Sequence, residues 1–159
     1  QVSFGRPRPM VEFLFDTTRA VVNLALNGVL ERYPAIRWVV PHAGAALPVL
    51  ADRVSRLAPL LSPPPGGGDA PDVLGSLGRL HYDLAGVPLP RALPALLNLV
   101  PPGQLVYGSD YPFTPAPTVA ALAGAIAATD VLDEVTRAGA LRDNAAALLP
   151  RLASTPAAR

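Results

Sequence analysis

The sequence predicts an α/β fold built on a parallel sheet, and three observations predict it. Short β-rich runs alternate with segments of helical apolar spacing, the order that a parallel sheet requires. Two of these runs, Ile36-Arg-Trp-Val-Val-Pro-His-Ala-Gly44 and Leu105-Val-Tyr-Gly-Ser-Asp-Tyr-Pro-Phe113, share one layout: an apolar strand, a polar group at its carboxyl end, a small residue and a helix. Half of the 159 residues are apolar, enough for one buried core. His42 and Asp110 close the two runs at the strand ends where α/β barrels keep their chemistry, so a barrel is favoured over an open sheet. A closed barrel takes about 250 residues. The chain therefore reads as the C-terminal part of a barrel or as a smaller α/β fold.

Taken in order, residues 1–11 are rich in proline and arginine without an apolar period and read as loop. A helix is expected from Asp16, which can cap it, with Ala20, Val21, Leu24, Ala25 and Gly28 as its packing stripe and Pro34 as its stop. Small Gly28 would let that helix approach a strand closely. The strand Ile36–Val40 follows, then a helix from Ala45 to Leu60 burying Leu47, Leu50, Val54 and Leu57. The Pro- and Gly-rich run Ser62–Asp72 reads as an exposed loop, too short to divide the chain into two domains. Beyond a short helix at Val73–Leu77, the strand Leu80–Leu84 sets His81 and Asp83 on the face opposite Leu80, Tyr82 and Leu84. A helix at Arg91–Val100 and a strand at Gln104–Tyr107 come next. Residues 117–149 are alanine-rich helix in pieces near Val119–Ala128, Asp130–Ala138 and Leu141–Leu149; Asn144 suits a buried hydrogen-bonding role and a solvated face equally. Residues 1–150 form the barrel portion, and 151–159 are expected to be a disordered tail.

The candidate site residues each compete with a plainer role. An isolated Gly-Ser-Asp more often caps the next helix, here the one starting near Pro115, and a lone histidine is more often a satisfied core or surface group. The pairing of two matching strand ends shifts both His42 and Asp110 toward chemistry. Asp83 and His81 are weighed evenly, since a carboxylate at a strand end can equally cap its own turn or pair with an arginine.

Composition excludes several classes. The net charge is +1, all thirteen basic residues are arginine, and no basic patch is interleaved with aromatics, which argues against nucleic acid. No apolar run approaches the roughly 20 residues of a membrane span and no signal peptide is visible, so the chain reads as cytoplasmic. Gly66-Gly-Gly68 lies in a proline loop rather than after a strand, and no Gly-x-Ser-x-Gly elbow is present, which removes dinucleotide and serine-hydrolase readings. The absence of cysteine leaves histidine, carboxylate or water to hold any metal. The chain opens on Gln1, which reads as a fragment or a processed protein.

Several stretches in fixed order then carry a resemblance. Phe13-Leu-Phe-Asp-Thr-Thr-Arg-Ala20, Asn27-Gly-Val-Leu-Glu-Arg-Tyr-Pro34, Pro41-His-Ala-Gly44 with Leu47-Pro48 and Asp52-Arg53, Tyr82-Asp-Leu-Ala85 and Tyr107-Gly-Ser-Asp-Tyr-Pro-Phe113 together resemble the amidohydrolase-related decarboxylases, the group that includes aminocarboxymuconate-semialdehyde decarboxylase. The run Phe13–Arg53 looks most like the branch acting on salicylate-type acids, such as 6-methylsalicylate decarboxylase. The resemblance implies part of a (β/α)8 barrel of the metal-dependent hydrolase superfamily. It also implies Asp110 as ligand of a divalent metal (zinc or manganese), His42 as the proton-transfer residue, Arg53 as a binder of substrate carboxylate, a small carboxylic-acid substrate and a homodimer. The plainer role for Arg53 is a solvent-facing pair with Asp52.

The family's His-x-His pair on the first strand and its further histidine on the fifth are absent, and His81 does not align with a ligand position. Three protein ligands are normal for zinc, so this stretch matches the C-terminal portion of such an enzyme. Decarboxylation of an aromatic or unsaturated acid is the expected function. Hydrolysis of an ester, lactone or amide is the runner-up, and a catalytically silent association module is the reading from a different class.

Overall fold

The computed structural model describes residues 5–61 and 68–153. Three short strands, β1 (Val39–Val40), β2 (His81–Asp83) and β3 (Leu105–Val106), form a parallel sheet in the order β1-β2-β3, so the expected α/β layer is present. Val39 pairs with His81, Val40 with Tyr82, Tyr82 with Leu105 and Asp83 with Val106. The strands are shorter than the β-rich runs because only the stretch facing a neighbour is paired. Two further bonds, His81 N–H to the Trp38 carbonyl (2.9 Å) and Leu84 N–H to the Val106 carbonyl (3.0 Å), extend the ladder at either end.

Helix α1 (Glu12–Leu26) starts earlier than expected. Asp16 lies inside it and, instead of capping, meets Arg8 at 2.8 Å and Arg19 at 3.1 Å on the surface. The short helical turn Arg8–Met10 leads into it where loop was expected. Thr18, Val21 and Ala25 form its buried stripe, while Ala20 is exposed. Gly28 is not on that stripe: it takes a left-handed φ of 65°, ends the helix, and has open space where a Cβ would stand. The break suits glycine because φ > 0 costs it nothing sterically. One further turn, α2 (Val29–Arg32), precedes Pro34.

Helix α3 (Leu47–Leu61) buries Leu47 and Ala51, with Leu50, Val54 and Leu57 half-buried beside them. Asp72 caps α4 (Val73–Gly78) by accepting the Gly75 N–H at 2.8 Å. The loop before it lies partly in residues 62–67, outside the described residues. Helices α5 (Ala92–Leu97) and α6 (Ala116–Ala128) follow the next two strands. Asp130 does not start a helix. Asp133 caps α7 (Glu134–Ala138), accepting the Thr136 N–H at 2.8 Å, and a wide turn at Gly139–Asp143 joins it to α8 (Asn144–Leu148). The tail expected from residue 151 instead begins as a helical turn, α9 (Pro150–Ala153), which proline at a first helical position favours. Residues 154–159 lie outside the described residues. Leu47, Leu77, Leu93, Leu96, Leu105 and Ile126 are fully buried between sheet and helices and fix the strand ends that carry polar groups.

Candidate active site at the carboxyl ends of the strands

Beyond β1, Pro41 leads into a tight turn, His42–Gly44, before α3 begins. His42 (φ 57°), Ala43 (φ 51°), Gly44 (φ 79°) and Ala45 (φ 55°) are consecutive residues in the left-handed region. Residues with a Cβ pay on the order of 1–3 kcal/mol each there, and such strain persists only where surroundings over-determine it. Here the surroundings are specific. The Ala45 N–H donates to the His42 carbonyl (2.9 Å), the Ala46 N–H donates to Thr18 Oγ1 (3.1 Å), and the His42 N–H donates to Asp83 Oδ1 (2.9 Å). The His42 ring lies so close to Gly86 that a Cβ there would stand 3.0 Å from its Cδ2.

Beyond β3 the chain runs through Gly108 to Asp110, again at positive φ (56°). Its carbonyl accepts the Thr114 N–H (2.8 Å) and its Oδ2 accepts the Thr114 hydroxyl (3.1 Å). Asp110 is not a helix cap, because the cap position of α6 is Pro115 and no side chain bonds to that helix start. Asp83, at the end of the central strand, turns inward between these two segments: Oδ1 also accepts the Ala85 N–H (3.0 Å).

His42 and Asp110 line one cavity of about 660 Å³, together with Ala45, Gly86 and the apolar side chains of Met10, Phe13, Val87 and Phe113. Phe113 and Val87 are 88% and 85% exposed, so the rim is open and apolar around the imidazole and the carboxylate. Arg53 is exposed on α3 and does not line this cavity; no ion pair with Asp52 is found among the described residues. His81 lies at the opposite end of β2, in a separate cavity of about 580 Å³ with Arg37, Trp38 and Arg79. Burial, and then the positive charge of Arg37, hold its imidazole below the usual histidine value. Among the described residues no group of three His, Cys, Asp or Glu could hold a metal ion.

Sequence reasoning missed Thr18 and Gly86. Thr18 was hidden because threonine within a helical run reads as a solvent-facing residue, whereas its hydroxyl is spent on the Leu14 carbonyl (2.7 Å) and on the turn after His42. Gly86, directly after the Tyr82-Asp-Leu-Ala85 motif, offered only its position as a signal.

Residues 13–151 match the family model described as Amidohydrolase. The chain belongs to the amidohydrolase family. Within this family it is 30% identical over 131 residues to a 6-methylsalicylic acid decarboxylase of Penicillium expansum, covering 82% of this chain and 40% of that protein. A solved amidohydrolase II is 35% identical with a TM-score of 0.84 and covers 94% of this chain and 47% of its own. At 18% identity, a dihydroxybenzoic acid decarboxylase from Polaromonas sp. JS666, solved with bound manganese and 2-nitroresorcinol, shares the fold with a TM-score of 0.73, covering 88% of this chain and 41% of that one. The amidohydrolase described here thus spans less than half the length of these relatives. The resemblance to amidohydrolase-related decarboxylases holds, and the relatives are enzymes.

Proposed function

We propose that this chain is the C-terminal part of an amidohydrolase-type (β/α)8 barrel whose enzyme removes carbon dioxide from a small aromatic or unsaturated carboxylic acid, salicylate-type acids foremost. The observation that carries this reading is the meeting of His42 and Asp110 in one apolar-rimmed cavity at the carboxyl ends of the strands. Cleaving the bond between a ring carbon and its carboxylate leaves an electron pair on that carbon, which must be met by a proton. His42 is the residue to deliver it, since imidazole exchanges protons near neutral pH. The apolar rim of Phe13, Val87 and Phe113 suits the faces of a flat ring. Arg53, exposed on α3, is proposed to meet substrate carboxylate across a homodimer.

A divalent metal, zinc or manganese, would supply a positive charge beside the reacting carboxylate. Asp110 fits as one donor, because Thr114 occupies Oδ2 and leaves Oδ1 without a bond among the described residues. One carboxylate and one imidazole do not complete a metal site. The remaining ligands are proposed to come from segments outside these 159 residues.

The test is carbon dioxide release from 6-methylsalicylate by the full-length protein. His42→Ala is expected to lower kcat by about 10²–10⁴-fold, the span of a lost proton-transfer group, and Asp110→Ala to lower it through loss of a metal donor. Full activity of His42→Ala would overturn the reading. A second reading, hydrolysis of an ester, lactone or amide, is favoured by the family description and by the 35% identical amidohydrolase II. Turnover of such substrates without carbon dioxide release would select it.

A further inference from the structure

We propose that Asp83 is the positioning residue for His42, holding the turn that aims the imidazole into the cavity; the inference rests on the reading of His42 as the proton-transfer residue. Asp83 ends the central strand, so it lies between the segment carrying His42 and the segment carrying Asp110. One carboxylate oxygen, Oδ1, accepts the N–H of His42 at 2.9 Å and of Ala85 at 3.0 Å. The second bond, two residues on, is the local turn that an aspartate at a strand end often makes. The first spans 41 positions and has no such local origin. On its other side the carboxyl abuts Gly108, where a Cβ would stand 2.9 Å from both Cβ and Cγ of Asp83. No ion pair to Asp83 is found among the described residues, and both N–H groups share its Oδ1.

The turn it holds needs holding. His42, Ala43 and Ala45 all carry a Cβ at positive φ, a conformation the chain would leave if its anchors were removed. Three anchors act on it: Thr18 on Ala46, Gly86 against the ring, and Asp83 on the His42 backbone. Of these three, only Asp83 hydrogen-bonds to His42, at its N–H. The role asks for an acceptor of this size rather than for a base.

Asp83→Asn keeps an acceptor oxygen in place, whereas Asp83→Ala removes it. In the full-length protein turning over 6-methylsalicylate, Asp83→Ala is expected to lower kcat about 10–100-fold with KM changed less than about twofold, and Asp83→Asn to stay within about threefold of the unmodified enzyme. Hydrogen exchange of the His42 amide, read by NMR, gives a measure independent of turnover: it should speed up at least about tenfold in Asp83→Ala and remain slow in Asp83→Asn. Unchanged kcat in Asp83→Ala, or an Asp83→Asn as impaired as Asp83→Ala, overturns the proposal. Should Asp83→Ala not fold, a rapidly exchanging His42 amide in Asp83→Asn overturns it and a protected one supports it. If His42→Ala is itself fully active the proton-transfer reading fails, while the exchange data still decide whether Asp83 holds the turn.

Discussion

His81 and His42 are the only histidines in the chain, and the fold sends them to opposite ends of the sheet. Burial, reinforced by Arg37, depresses the His81 pKa from its ordinary 6.5. The unfolded chain therefore binds this proton more readily than the folded one, and stability rises with pH through the window just below 6.5. His81→Gln should flatten that part of the stability curve, which urea midpoints from about pH 5 to about pH 7 would show. An unaltered slope would mean that another group carries it. At this scale the sequence was informative wherever a motif ended a strand: His42 and Asp110 meet in the cavity, and Asp83 could be named as a candidate. What it could not supply was the partner of each group. The Asp83 bond to His42 joins positions 41 apart, and no local pattern encodes it.

At the scale of elements, Asn144 starts α8 and donates to the carbonyls of Pro102 (3.0 Å) and Leu105 (2.8 Å), tying the C-terminal helices to the entry of β3. From the sequence a buried hydrogen-bonding role and a solvated face were equally open to it; the half-buried amide takes the first. Asn144→Ala leaves both carbonyls without that donor and is expected to cost about 1–3 kcal/mol, seen as a fall in Tm of about 2–4 °C per kcal/mol for a chain of this size. Asn144→Asp should cost more, because it turns an anion toward two acceptors. Helix existence was readable from spacing, but boundaries were not. Asp16 and Asp130 looked like caps, yet a cap is decided by which N–H groups are free, and those belong to Glu12 and Asp133 onward. Gly28 misled in the same way: smallness suggested close packing, and the backbone used its freedom of φ instead.

For the molecule as a whole, the parallel sheet was legible from alternation, its order β1-β2-β3 was not, and the sheet gathers three polar strand ends on one side. The chain has two histidines and no cysteine, and Asp110 is proposed as one donor to a metal whose other ligands lie elsewhere. The expected consequence is that the 159-residue chain, incubated with zinc or manganese and freed of excess, retains well under one metal ion per chain by elemental analysis. One ion per chain, lost in Asp110→Ala, would show instead that these residues suffice. The long-range bonds have another consequence, in time rather than space. At roughly 5–20 residues per second of synthesis, His42 emerges about 2–8 s before Asp83. Arg37 waits longer still for the carbonyls of Ala147 and Leu148 that its guanidinium joins. The nascent chain thus carries an unfastened His42 turn until the central strand arrives. Slow codons placed between these two segments would lengthen the interval in which the ribosome-bound chain is open to chaperones and proteases.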